Sequence, residues 1–142
     1  MTTIQPFHLA IPVKDLALCR HFYRDILECP EGRSDTRWVD FNLFGHQLVI
    51  HQKEGFVPKG AVVSNPVDGH DVPIPHFGVI LGMEDWKAFA ERLKSKNVQF
   101  ILEPYIRFEG LPGEQGTLFF EDPEGNALEF KGFEDLDNLF AT

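Results

Sequence analysis

Four side chains able to bind a metal ion recur at matching places in the two halves of this 142-residue chain. His8 and His76 come early in each half, His51 and Glu129 late. The early pair opens corresponding runs, His8-Leu9-Ala10-Ile11 and His76-Phe77-Gly78-Val79, and the late pair closes corresponding triplets, Val49-Ile50-His51 and Ala127-Leu128-Glu129. A lone Glu in a strand is normally a solvated surface residue, and isolated strand histidines are usually structural or exposed. Repetition shifts that weighting, because chance rarely puts four such groups at equivalent positions. Two imidazoles and one carboxylate with open positions suit non-haem Fe(II) or a similar divalent ion, and the lack of thiolate also admits Mn, Ni, Co or Zn. All four, His8, His51, His76 and Glu129, stand as candidate ligands.

Periodicity supplies the elements that would position these groups. Residues 7–13 alternate, with Phe7, Leu9 and Ile11 on one face and His8, Ala10 and Pro12 on the other, as in a strand with one apolar face. Asp15 then caps a helix carrying Leu16, Cys19, Tyr23, Ile26 and Leu27, which must stop before Pro30. The segment around Arg33 to Thr36 is ambiguous. Strands are predicted over 38–44 and 47–52, joined by a turn at Gly45-His46. From 53 to 75 the pattern dissolves into Gly and Pro, which reads as a linker or long loop. The opening pattern then returns as a strand over 74–81 and a helix over 84–96 with Trp86, Phe89, Ala90 and Leu93 as its buried stripe. A strand over 98–102 ends at Pro104, a Gly-rich loop covers 107–116, and a hairpin turns at Asp122-Pro123-Glu124-Gly125. In its last strand Leu128 and Phe130 point one way, Ala127 and Glu129 the other. Both halves thus read strand, helix, three strands, an α+β arrangement. A repeat of about 70 residues exceeds solenoid periods and implies two similar modules in one domain. The expected bounds are module one at about 4–53, a linker at about 54–73, and module two at about 74–132 with a short tail.

Bulk properties narrow the partners. Thirteen basic against twenty-two acidic residues give a net charge of −9, which argues against nucleic acid or an anionic membrane. No apolar run approaches the ~20 residues of a membrane span. Cys19 and Cys29 make neither a disulfide framework nor a zinc-finger spacing. Met1 to Pro6 carries no basic-then-apolar signal pattern, so a cytoplasmic protein is the expectation.

The chain resembles the vicinal oxygen chelate superfamily, which contains glyoxalase I, bleomycin and fosfomycin resistance proteins, and extradiol dioxygenases. The resemblance rests on Phe7-His8-Leu9-Ala10-Ile11, Phe22-Tyr23-x-x-Ile26-Leu27, Pro75-His76-Phe77-Gly78-Val79, and above all the run from Phe119 to Phe130. It implies two βαβββ modules forming a cup-shaped mixed β-sheet, the glyoxalase-like fold, with a homodimer and a small-molecule substrate. It also implies that His8, His76 and Glu129 stand where the family's metal ligands stand. The leading expectation is an extradiol-dioxygenase-like oxidoreductase using Fe2+ or Mn2+ on a small molecule with vicinal oxygens. His46 falls near the dioxygenases' acid/base histidine, while Phe119 replaces the tyrosine that accompanies it. The alternatives are a glyoxalase-like lyase or isomerase in which His51 is a fourth ligand or the general base, or a non-catalytic, resistance-type binding protein.

Overall fold

The computed structural model describes residues 4–57 and 63–142. It divides into two compact units, Met1–Lys59 and Gly60–Thr142. The first unit runs β1 (His8–Val13), α1 (Leu16–His21), β2 (Glu31–Asp35), β3 (Trp38–Leu43) and β4 (His46–Gln52). Its sheet has the order β1-β4-β3-β2, with β1 parallel to β4 and the other pairs antiparallel. Asp15 caps α1 by accepting the Leu18 N–H at 3.0 Å, as its position predicts. The helix does not continue as α but passes into a π-helical turn, Phe22–Ile26. Phe22 and Tyr23 at the start of that turn are both buried. Of the ambiguous 33–36 segment, Arg33 to Asp35 belong to β2 and Thr36 begins the turn to β3; the β2 register slips between Glu31 and Ser34.

The second unit contains β5 (Val63–Val67), β6 (His70–Ile74), β7 (His76–Phe77), β8 (Ile80–Gly82), α2 (Met83–Ser95), β9 (Phe100–Arg107), β10 (Gln115–Glu121) and β11 (Ala127–Phe133). The order is β7-β11-β10-β9, with β8 also parallel to β11, so β7 and β8 form one interrupted first strand. Trp86, Phe89 and Leu93 of α2 are buried with Leu118, Phe120, Leu128 and Phe130 of the sheet. Each such side chain contributes about 1.5–3 kcal/mol on burial.

Two expectations need correcting here. Part of the 54–73 linker is the antiparallel hairpin β5–β6, turned at Asp68 (φ 51°) and Gly69 (φ 78°). An Asp-Gly pair with both residues at positive φ is a strong hairpin device. Nor does β9 end at Pro104. The chain passes the proline because a register shift opens between Thr117 and Phe119 on β10, where no ladder donor is required of it. Asp122 organises the final turn, accepting the N–H groups of Glu124 and Asn126 and the Asn126 amide, each at 2.9 Å. Cys19 and Cys29 are buried thiols not joined in a disulfide. No helix among the described residues is long and apolar enough to cross a membrane.

Candidate metal centre

Parallel pairing places His76 opposite Ala127, so Glu129 lies two residues further along β11. Leu128 and Phe130 are fully buried. Strand alternation therefore turns Glu129 to the opposite face. Helix α2 fixes that orientation: Trp86 Nε1 donates to the Phe130 carbonyl at 2.9 Å, and the Phe89 and Phe130 rings lie 4.4 Å apart. Gly78 completes the local fit, because a Cβ at that position would lie 1.5 Å from the Glu129 carbonyl oxygen. Only glycine admits so close a backbone approach.

His76 Nε2 sits 3.2 Å from Glu129 Oε1. His76 Nδ1 faces the Pro73 carbonyl at 2.6 Å. A carbonyl only accepts, so Nδ1 carries a proton and, in the neutral ring, Nε2 presents a lone pair. Two acceptors at this separation repel unless a cation lies between them, either a proton on Nε2 or a metal ion. Glu129 Oε2 accepts from Thr117 Oγ1 at 2.5 Å, and the Phe119 ring meets His76 edge-on at 4.9 Å. The Glu129 side chain is 12% exposed and that of His76 29%, so the carboxylate is largely withdrawn from water. A withdrawn carboxylate needs a compensating partner. Imidazole and carboxylate, each held from behind by a second group, fit a divalent cation.

A cavity of about 140 Å3 opens over the pair, walled by Leu102, Tyr105 and Phe119, with Arg107 and Lys131 adding positive charge. Arg107 Nε donates to Asp68 at 2.5 Å and Tyr105 Oη lies 3.3 Å from the same carboxylate, tying the β5–β6 hairpin to β9. The guanidinium holds the Asp68 carboxyl below its ordinary range. Burial, with the Asp68 charge, raises the Tyr105 phenol.

The first unit repeats this geometry only in part. His8 pairs with Gln47 as His76 pairs with Ala127, so the same count along β4 reaches Val49, not His51. The sequence match of His51 with Glu129 is therefore two residues out of register. An even slip keeps the strand face, which is why alternation alone does not expose it. His51 is exposed opposite Pro12 and Trp38, its ring 6.5 Å from the Trp38 indole. His46 belongs to β4 rather than to the turn, and its Nδ1 accepts the Phe7 N–H at 2.8 Å. Its Nε2 therefore carries the proton. His8 Nδ1 meets Gln47 Oε1 at 2.8 Å.

The structure thus brings His76 and Glu129 together and sets His8 at the corresponding place in the other unit, while His46 and His51 occupy other positions on β4. Within each unit, among the described residues, no three His, Cys, Asp or Glu side chains converge. Thr117 and Lys131 went unnoticed in the sequence. Both are visible in principle, since Thr117 lies two residues before Phe119 and Lys131 two after Glu129 on the same strand faces.

The family profile described as the glyoxalase/bleomycin resistance protein/dioxygenase superfamily matches residues 5–130. A glyoxalase/bleomycin resistance protein/dioxygenase from Alicyclobacillus acidocaldarius is 28% identical, with 96% of each chain covered and a TM-score of 0.76. The fosfomycin resistance protein FosX of Listeria monocytogenes is 19% identical over 97% of this chain and 98% of its own, with a TM-score of 0.61. A virulence protein from Salmonella typhimurium is 18% identical over 94% of this chain and 99% of its own, with a TM-score of 0.62.

Proposed function

The chain belongs to the glyoxalase/bleomycin resistance protein/dioxygenase superfamily, and we propose that it is a metal-dependent enzyme acting on a small molecule with two neighbouring oxygens. Members of the family commonly bind divalent metals and small molecules and often act as dimers. In this reading His76, Glu129 and His8 hold the ion, and the protein works as a homodimer. The observation that carries the proposal is the 3.2 Å approach of His76 Nε2 to Glu129 Oε1, two acceptors that call for a cation. When bound, a divalent ion supplies Lewis-acid stabilisation for charge developing on the substrate's vicinal oxygens.

The protein's own groups do the rest. Pro73 and Thr117 keep the two donors aimed. Leu102 and Phe119 exclude water from the cavity, which strengthens every charge interaction inside it. Lys131 on the cavity wall favours a substrate that is or becomes anionic, whereas Arg107 is already paired with Asp68. The finer assignment is an extradiol-type oxidoreductase with Fe2+ or Mn2+, because two histidines and one carboxylate leave positions for a dioxygen and a catecholate. Val49, apolar at the register place matching Glu129, supports a three-donor set over the four-ligand centre of a glyoxalase-type lyase. Of the two histidines first read as acid–base groups, His46 keeps its Nε2–H clear of Phe7 and is the one to substitute.

Iron loaded without oxygen should give catechol-dependent oxygen uptake in the wild type, lost in His76→Ala. Isomerisation or proton exchange without uptake would move the protein to the lyase branch. Tight ligand binding without turnover in either assay would make it a binding protein.

A further inference from the structure

His8 is exposed on an edge strand, yet its ring is not free to choose a tautomer. Its Nδ1 lies 2.8 Å from Gln47 Oε1, and Gln47 Nε2 lies 3.0 Å from Asp40 Oδ2. The direction of this chain follows from chemistry. A carboxylate only accepts, so Gln47 must turn its amide nitrogen to Asp40 and its oxygen to His8. That oxygen only accepts, so His8 must donate from Nδ1. The remaining nitrogen, Nε2, is left with its lone pair.

Asp40 is built into the unit rather than placed on its surface. It is 7% exposed, its Oδ1 accepts the backbone N–H of Arg33, and it sits where β2 slips register. A Cβ on Gly32 would lie 2.3 Å from Asp40 Oδ1, so the strand leaves a notch for this carboxylate. In the second unit a backbone carbonyl, that of Pro73, does the equivalent work for His76.

We infer that Asp40 and Gln47 are positioning residues that lock His8 in the Nδ1–H tautomer and aim its Nε2 lone pair at a metal ion. The inference deepens the proposed function and rests on its reading of His8 as a ligand. Outer partners of this kind change metal affinity by about 10–100-fold.

The test uses the full chain. Long-range 15N–1H correlation of the imidazoles in metal-free protein reads the His8 tautomer directly, and Zn2+ titration reads affinity. Wild type should show His8 protonated at Nδ1. Gln47→Leu should lose that signature and bind zinc about 10–100-fold more weakly. The exchanged pair Asp40→Asn with Gln47→Glu should restore both, because the Asn amide then donates to the new carboxylate, which still accepts from His8. An Nε2–H tautomer in wild type, or an unchanged signature in Gln47→Leu, overturns the inference. His8→Ala separates the two claims: unchanged zinc affinity there removes His8 from the ligand set, while the tautomer result still decides the positioning role.

Discussion

The two units share a plan and differ where chemistry is concerned. In both, a first-strand histidine runs parallel to the last strand, and an apolar pair, Leu48 with Ile50 or Leu128 with Phe130, is buried. Two positions beyond the histidine's partner, one strand carries Glu129 and the other Val49. One histidine is held by a backbone carbonyl, the other by a side-chain relay from Asp40. The duplicated architecture thus repeats the histidine while leaving the carboxylate to one copy. The second unit brings a histidine and a carboxylate together under a walled cavity, and the first carries a single oriented imidazole.

Substitutions at matched positions can break this contrast. Gly78→Ala should have the largest effect, because its Cβ meets backbone that cannot yield. It should cost more than about 4 kcal/mol of stability in chemical denaturation, where an ordinary surface change costs little. Glu129→Ala should abolish metal binding in a calorimetric titration, whereas Val49→Ala at the matching site should leave it intact. Equal losses in both would erase the distinction between the units. Thr117→Val should weaken metal affinity by about tenfold, as removal of an outer hydrogen bond to a ligand does. His51→Ala should change neither metal affinity nor stability by more than about 0.5 kcal/mol. A clear loss of metal there would restore His51 to the site and call the register comparison into question.

Strand faces and the repeated histidines were legible in the sequence because both follow from period-2 alternation, which buried Leu128 and Phe130 enforce on Glu129. Register along a strand was not legible. Moving a match by two residues preserves every face, so only the pairing of His8 with Gln47 reveals that Val49, not His51, corresponds to Glu129. The β5–β6 hairpin carried its signal in Asp68-Gly69, but weakly alternating, proline-containing strands such as Val63–Val67 masked it. Pro104 looked like a strand end because a proline removes a ladder donor, and the bulge that tolerates it depends on β10, a non-local partner. The relay from Asp40 through Gln47 to His8 joins residues on three strands, and no local pattern announces it.

The central claim is that His76 and Glu129 together hold a divalent cation, and metal stoichiometry across three proteins tests it most directly. Wild type, His76→Ala and Glu129→Ala would be equilibrated with Mn2+ or Fe2+ under anaerobic conditions, desalted, and analysed for bound metal alongside circular dichroism. The account predicts about one ion per chain in wild type and none in either folded variant. Stoichiometric metal that survives both substitutions would contradict it.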